Sequence, residues 1–271
     1  MDIQYLENKS LQLRNDLIDY GYEVGKSHMG GTLSSIDMLS VLYYGIMKHS
    51  PENPNWKYRD RFILSKGHCA LGLYVILADL GYFSKKHLLE YKKINGILQG
   101  HPDKSKTPGI EMSAGSLGQG ISYGVGKALG LKLKNINSRV FVMVGDGELE
   151  EGQNWEAILS ANHYKLDNLV VLVDHNKLQL DNTLIDELSF ENLISKFKSF
   201  GWEVLHIDGH NIKEIYKALK FSNKKPLAII GNTIKGKGID FMENNISWHC
   251  NKMTEDEYKL AKDQLKEGVV L

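Results

Sequence analysis

Cysteine is scarce in this chain: Cys69 and Cys250 are the only two in 271 residues. Two thiols cannot build the disulfide framework of a small secreted scaffold, and they suit a reducing compartment. Proline is rare as well, five in all, and no proline-rich tract serves as a linker. Neither sign of charge is in excess, because 33 Lys plus Arg balance 33 Asp plus Glu. A nucleic-acid or anionic-membrane binder carries a basic excess or stripe, and none stands out here. No apolar run approaches the roughly 20 residues that span a bilayer. Met1 to Tyr20 is charged throughout and lacks the apolar core of a signal peptide. These absences lead to the expectation of a soluble, cytoplasmic protein that binds neither nucleic acid nor membrane. What is present is ordinary globular material, 42% hydrophobic and 24% charged, and residues 1–271 are within reach of one large α/β domain.

Helix and strand signals alternate along the chain. Leu6 to Tyr20 has helical spacing, with Leu6, Leu13, Leu17 and Ile18 apolar. Ser34 to Met47 repeats it, with Ser34 or Ser35 as the expected N-cap. Arg61–Leu64 reads as a short strand and Ala70 to Leu80 as a helix. Gly115 to Leu131 begins glycine-rich and turns helical. Val140–Val144, Leu169–Val173, Val204–Ile207 and Leu227–Ile230 read as buried strands, with helices over Glu150 to Tyr164 and Ile212–Leu219. Continuous apolar strands separated by helices predict a parallel sheet with helices on both faces. Phe83 to Gly118 and a loop-rich tail after Gly236 read as insertions onto that sheet.

The most informative segment runs from Val140 to Asp181. A strand leads into Gly145-Asp146-Gly147, and a second strand ends near Asp174-His175-Asn176. The 28 residues from 148 to 175 suffice for a loop, a helix and a returning strand. Such a βαβ unit places Asp146 and Asn176 side by side at the carboxyl edge of the sheet, where open α/β sheets bind ligands. An aspartate oxygen, an amide oxygen and a nearby backbone carbonyl are hard oxygen ligands suited to magnesium, an ion usually shared with phosphates. Gly145 and Gly147 let the backbone approach a phosphate closely. Gly-Asp-Gly followed some thirty residues later by Asn resembles the thiamine diphosphate-binding fold. Taken alone it also fits a plain turn and a strand-end cap. Two other phosphate motifs fail. Gly25-Lys26-Ser27 resembles the end of a P-loop, but Tyr20 stands where that motif needs glycine, and Tyr123 breaks the dinucleotide fingerprint after Gly118 and Gly120.

Four of the ten histidines sit in loops rich in glycine or small residues: His28, His68, His101 and His249. Each alone is an unremarkable loop histidine. Together they could bind diphosphate, donate to sugar oxygens or move protons near neutral pH. Their surroundings make the pattern specific. Asp60-Arg61-Phe62-Ile63-Leu64-Ser65-Lys66-Gly67-His68, Gly100-His101-Pro102, Gly115-Ser116-Leu117-Gly118-Gln119-Gly120, the Gly145 to Asp181 segment, Lys235-Gly236-Lys237-Gly238 and Trp248-His249 follow one another in the order seen in transketolases. The resemblance runs from about Ser27 to His249. Pyruvate dehydrogenase-type α subunits share the Gly-Asp-Gly and Asn elements but not the histidines.

The resemblance implies roles. Asp146, Asn176 and the Leu178 carbonyl would hold Mg2+. Gly147, His68 and His249 would contact the diphosphate of thiamine diphosphate, with Gly115 and Gly145 in the same site. Leu117 and Leu180 would pack near the thiazolium. His28 and His101, with His249, would face the reacting sugars. Glu151 and Glu156 match an acidic stretch often used in subunit contact, although solvated acids in a first helical turn explain them equally. Met29 stands where the family often has proline and Cys250 where glycine is usual, which affects sugar contacts more than metal ligands. A full transketolase is more than twice this length, and its second domain supplies the glutamate that activates the cofactor. The chain therefore reads as the N-terminal subunit of a split transketolase. It would work with a C-terminal subunit, two copies of each, to move a two-carbon ketol unit from a ketose to an aldose. The alternatives are a subunit of a 1-deoxyxylulose-phosphate synthase-like or 2-oxo acid dehydrogenase-like enzyme, or a non-catalytic cofactor-holding subunit.

Overall fold

The computed structural model describes residues 2–179 and 192–267. The first helix, α1, spans Ile3–Val24 and is longer at both ends than its apolar spacing predicts. The Asp2 carboxylate accepts from Gln4 N at 3.0 Å, capping the start, and Gly25 closes the end. Leu6, Leu13, Leu17 and Ile18 form its buried stripe, as the spacing requires.

The second helix, α2, corrects the predicted start. It spans Met29–Val41, begins at His28 rather than Ser34 or Ser35, and passes into a π-helical turn over Leu42–Ile46. The two serines do not cap. Their hydroxyls donate back to Gly31 O at 3.0 and 2.7 Å, one turn earlier in the same helix. An antiparallel bridge between Ser27 and Asn251 holds the chain just before the helix.

Five strands form one sheet: β1 (Arg61–Leu64), β2 (Val140–Gly145), β3 (Leu169–His175), β4 (Glu203–Asp208) and β5 (Leu227–Asn232). The order is β1-β2-β3-β5-β4 and every neighbouring pair is parallel. Side chains alternate between two cores. Phe62, Phe141, Met143, Val170, Leu172 and Ile229 pack with α1, α2, α3 (Ala70–Asp79), α7 (Ile212–Leu219) and α8 (Glu255–Glu267). Ile63, Val142, Val144, Val171, Val173 and Ile230 pack with α4 (Gln119–Leu133), α5 (Gly152–His163) and α6 (Leu193–Ser199). Both faces are covered, which is why the central strands tolerate no polar alternation. Among the described residues no helix is long and apolar enough to cross a membrane.

The tail is less irregular than its sequence suggests, because α8 lies within it. Ala261 and Leu265 are buried, Tyr258 stacks on Tyr22 with ring centroids 4.4 Å apart, and Tyr258 Oη donates to Asp19 Oδ1 at 2.9 Å. The Phe83 to Gly118 stretch contains one short 3-10 helix, Lys85–Glu90, and is otherwise turns and loops.

Candidate active site

The carboxyl ends of the strands gather the loops that carry the motifs. β2 and β3 are neighbours, with Gly145 in register with Asp174, so Asp146 and Asn176 emerge side by side as the βαβ reading requires. Asp146 Oδ1 accepts from Gly147 N at 2.9 Å, and Oδ2 accepts from Lys177 N at 2.6 Å and His175 Nδ1 at 3.1 Å. Asn176 Nδ2 donates to Asp174 Oδ2 at 3.1 Å, which leaves Oδ1 as the exposed acceptor, taken by Leu178 N at 3.1 Å. Lys177 between them adopts a left-handed conformation (φ 63°).

A cleft of about 270 Å³ brings most of the expected residues together: His68, Gly115, Leu117, Gly145, Asp146, Gly147, Asn176, Leu178 and His249 all line it. His28 joins through its ring, whose centroid lies 5.3 Å from those of both His68 and His249. His101 stands at the rim, exposed, with its ring against Gly115. Leu180 lies outside the described residues. Glu151 and Glu156 are exposed on the start of α5. Gly118 starts α4 with φ 85°, and a side chain there would meet Glu151 Cβ at 2.8 Å, so the glycine is required twice over.

The histidine triangle is neutral. Burial, reinforced by Lys92 and His101, lowers His28 to about 4, and burial with Lys235 lowers His249 to about 4. Burial pushes His68 well below the ordinary histidine value. Burial also lowers His101. Lys235 Nζ lies 3.2 Å from His249 Nδ1. An ammonium can only donate, so Nδ1 accepts and Nε2 of His249 carries the proton.

The sequence motifs did not single out several residues that line the same cleft: Gly31, Lys66, Glu148, Gln179 and Lys235. The two lysines differ. Lys66 pairs with Asp174, both fully buried. Burial opposes both charges, yet Asp174 holds the ammonium above its ordinary range and Lys66 holds the carboxylate below its own. Among the described residues Lys235 has no carboxylate partner. It donates to Gln179 O at 2.9 Å and Leu178 O at 3.3 Å, and burial, with Lys66 nearby, lowers it to about 8. Buried Glu148 accepts from Ser65 Oγ, from Gly118 N at 3.0 Å and from Gly145 N at 3.3 Å, fastening the Leu117 loop to the Gly-Asp-Gly turn. Both lysines and Glu148 stand inside the quoted motifs; only the order of those motifs, not the spacing, could have marked them.

These residues fit a magnesium diphosphate. One carboxylate, one amide oxygen and one carbonyl are hard donors, and no group of three His, Cys, Asp or Glu among the described residues forms a metal cage by itself. That is the donor pattern of an ion completed by phosphate oxygens. Lys235, His249 Nε2 and His68 supply the donors a diphosphate needs. A side chain at Gly31 would project to within 3.6 Å of both His68 Nε2 and Lys66 Nζ, filling the cradle. The departures are benign: Met29 is the first residue of α2 and packs against Gly21, while Cys250 is extended (φ −149°), a conformation that needs no glycine.

Comparison with known proteins gives the same direction. The family described as "Transketolase, thiamine diphosphate binding domain" matches residues 10–268. One of the two subunits of an apulose-4-phosphate transketolase from Phocaeicola vulgatus is 38% identical over 272 residues, covering 99% of this chain and 96% of that one. A 6-deoxy-6-sulfo-D-fructose transketolase subunit of a Clostridium species is 40% identical, covering 99% and 98%. Human transketolase is 36% identical over 248 residues, 91% of this chain but 40% of the human one. The crystal structure of Campylobacter jejuni transketolase superposes with a TM-score of 0.92 at 34% identity, covering 98% of this chain and 43% of that chain. The chain thus spans about two fifths of the length of these full-length enzymes.

Proposed function

The chain belongs to the transketolase thiamine diphosphate-binding domain family, and on that footing we propose that it is the diphosphate-binding subunit of a two-chain, transketolase-type ketol transferase. The observation that carries this reading is the cleft. Three hard oxygens, one uncompensated buried ammonium and three neutral histidines meet where two parallel strands end. Asp146, Asn176 and the Leu178 carbonyl would hold Mg2+. Lys235, His68 and His249 would hold the diphosphate, with Gly31, Gly115, Gly145 and Gly147 leaving room for it. Leu117 would lie against the thiazolium. Thiamine diphosphate, when bound, supplies the nucleophilic carbon and electron sink that break and remake a carbon–carbon bond. Neutral His28 and His101 would hydrogen-bond sugar hydroxyls, each able to donate at one ring nitrogen and accept at the other. The transfer runs from a ketose donor to an aldose acceptor.

A second chain would supply the pyrimidine-binding half and its activating glutamate. The relatives that match this chain nearly end to end are themselves named as subunits, which supports a partner. Two copies of each chain would give closed two-fold symmetry and two sites. The test is to purify the chain alone and with its partner, assay ketol transfer with ketose and pyruvate donors, and measure mass by light scattering. Transfer from a ketose only when both chains are present is expected. Full turnover by the isolated chain, or a preference for pyruvate, would overturn the proposal.

A further inference from the structure

The Asp174 carboxylate has no part in the chemistry above, yet it lies at the centre of the site's architecture. It sits near the end of β3, fully buried, in register with Gly145 on β2 and Gly231 on β5. No side chain stands at either of those two neighbouring positions to crowd it. Donors converge on it from four segments. Oδ2 accepts from Lys66 Nζ, from Ser34 Oγ at 2.6 Å and from Asn176 Nδ2 at 3.1 Å, and Oδ1 accepts from Thr233 Oγ1. Lys66 and Ser34 also share Gly31 O, each at 3.0 Å, which ties in the start of α2.

The spacing of these donors is the telling feature. Lys66 stands two residues before His68, Thr233 two before Lys235, and Asp174 itself two before Asn176. Three residues that face the cleft are thus each carried two positions beyond a group fixed on one carboxylate. We infer that Asp174 is the positioning residue of the diphosphate and metal half-site. This rests on the cofactor reading given above. It acts through Asn176 first. By taking Nδ2 it forbids the amide flip, so Oδ1 is the atom offered to a cation. It acts through Lys66 second. It holds that ammonium in the protein, so the cation free to meet the diphosphate is Lys235.

The test compares two double variants of equal charge, D174N/K66M and D174L/K66M, each in the full chain assembled with its partner. Both remove the buried ion pair; only the first keeps an acceptor for Asn176 Nδ2. Calorimetry with thiamine diphosphate and Mg2+ gives Kd, and a thermal melt without cofactor gives stability. Orienting groups behind metal ligands typically contribute about 10- to 100-fold in metal affinity. The expected result is a loss of that order in D174L/K66M relative to D174N/K66M, with similar melting midpoints. Equal Kd values in the two variants would overturn the inference, because Asp174 would then be only a counter-ion. If D174L/K66M does not fold, T233V decides: several-fold weaker binding at an unchanged midpoint supports the inference, and unchanged binding overturns it. A wild-type assembly that binds no thiamine diphosphate would instead sink the cofactor reading.

Discussion

Lys235→Met asks whether the cleft ammonium that lacks a carboxylate partner among the described residues is there for a diphosphate. Two unit charges about 4 Å apart attract by roughly 4 kcal/mol at an effective dielectric near 20. Part of that is offset when the ammonium gives up Gln179 O and Leu178 O, which hold it at 2.9 and 3.3 Å. A net loss of about 2–3 kcal/mol remains, or about 30- to 150-fold in Kd. The pH dependence carries a second signature. Burial lowers Lys235 from 10.5 to about 8, so the free site loses its cation above that pH. A bound diphosphate must restore the proton, so affinity should fall about tenfold per unit once pH exceeds the lysine value. Stability has the opposite sign. Because the folded value lies below the unfolded one, the unfolded chain binds the extra proton between about 8 and 10.5, and Lys235's contribution rises with pH through that window. Calorimetric titration of the assembled enzyme from about pH 7 to about pH 9.5 measures the first effect, with Lys235→Met as the flat reference. A variant whose Kd is unchanged, or whose pH slope matches the wild type, refutes the assignment.

Other outcomes follow from the same geometry. Asp146→Ala should abolish magnesium-dependent cofactor binding and also lower stability by about 1–3 kcal/mol, because Gly147 N, Lys177 N and His175 lose their acceptor; Asn176→Ala should abolish binding with a smaller loss in a thermal melt. His68→Ala and His249→Ala should raise the cofactor Kd, whereas His28→Ala and His101→Ala should act on KM or kcat, read from steady-state kinetics. Since His28 and His249 are lowered from 6.5 to about 4, their contribution to stability is complete above pH 6.5 and lost as pH falls toward 4, so ligand-free melting should drop over that window and less so in His28→Gln or His249→Gln. Leu265→Ala, truncating a side chain of α8 that is 3% exposed, should cost about 2–5 kcal/mol in a denaturant melt.

How much the sequence disclosed depended on the range of the interaction. Val140–Val144 and Leu169–Val173 are β-branched runs that only a doubly covered strand accommodates, and both strands are where the pattern placed them. The cleft was legible for a related reason: glycine and histidine at loop positions mark themselves locally. α8 was not, because its buried Ala261 and Leu265 are outnumbered by charges that reach solvent or Asp19. Ser34 and Ser35 looked like caps because a hydroxyl ahead of an apolar run is a local signal, and the helix was started elsewhere by a bridge to residue 251. The Lys66–Asp174 pair was invisible for the same cause, its partners lying 108 residues apart.

That bridge between Ser27 and Asn251 also bears on the order in which the cleft takes shape. Asp146 and Lys177 close a loop of 31 residues inside one βαβ unit, so the oxygen-lined corner can form as soon as two strands pair. His28 and His249 meet edge to edge only after segments from far apart in the chain have been brought together. Contacts between distant segments cost more chain entropy to close and generally form later. A refolding chain therefore acquires the corner for a cation before the wall of histidines, and local opening of that bridge would dismantle the wall while leaving the corner standing.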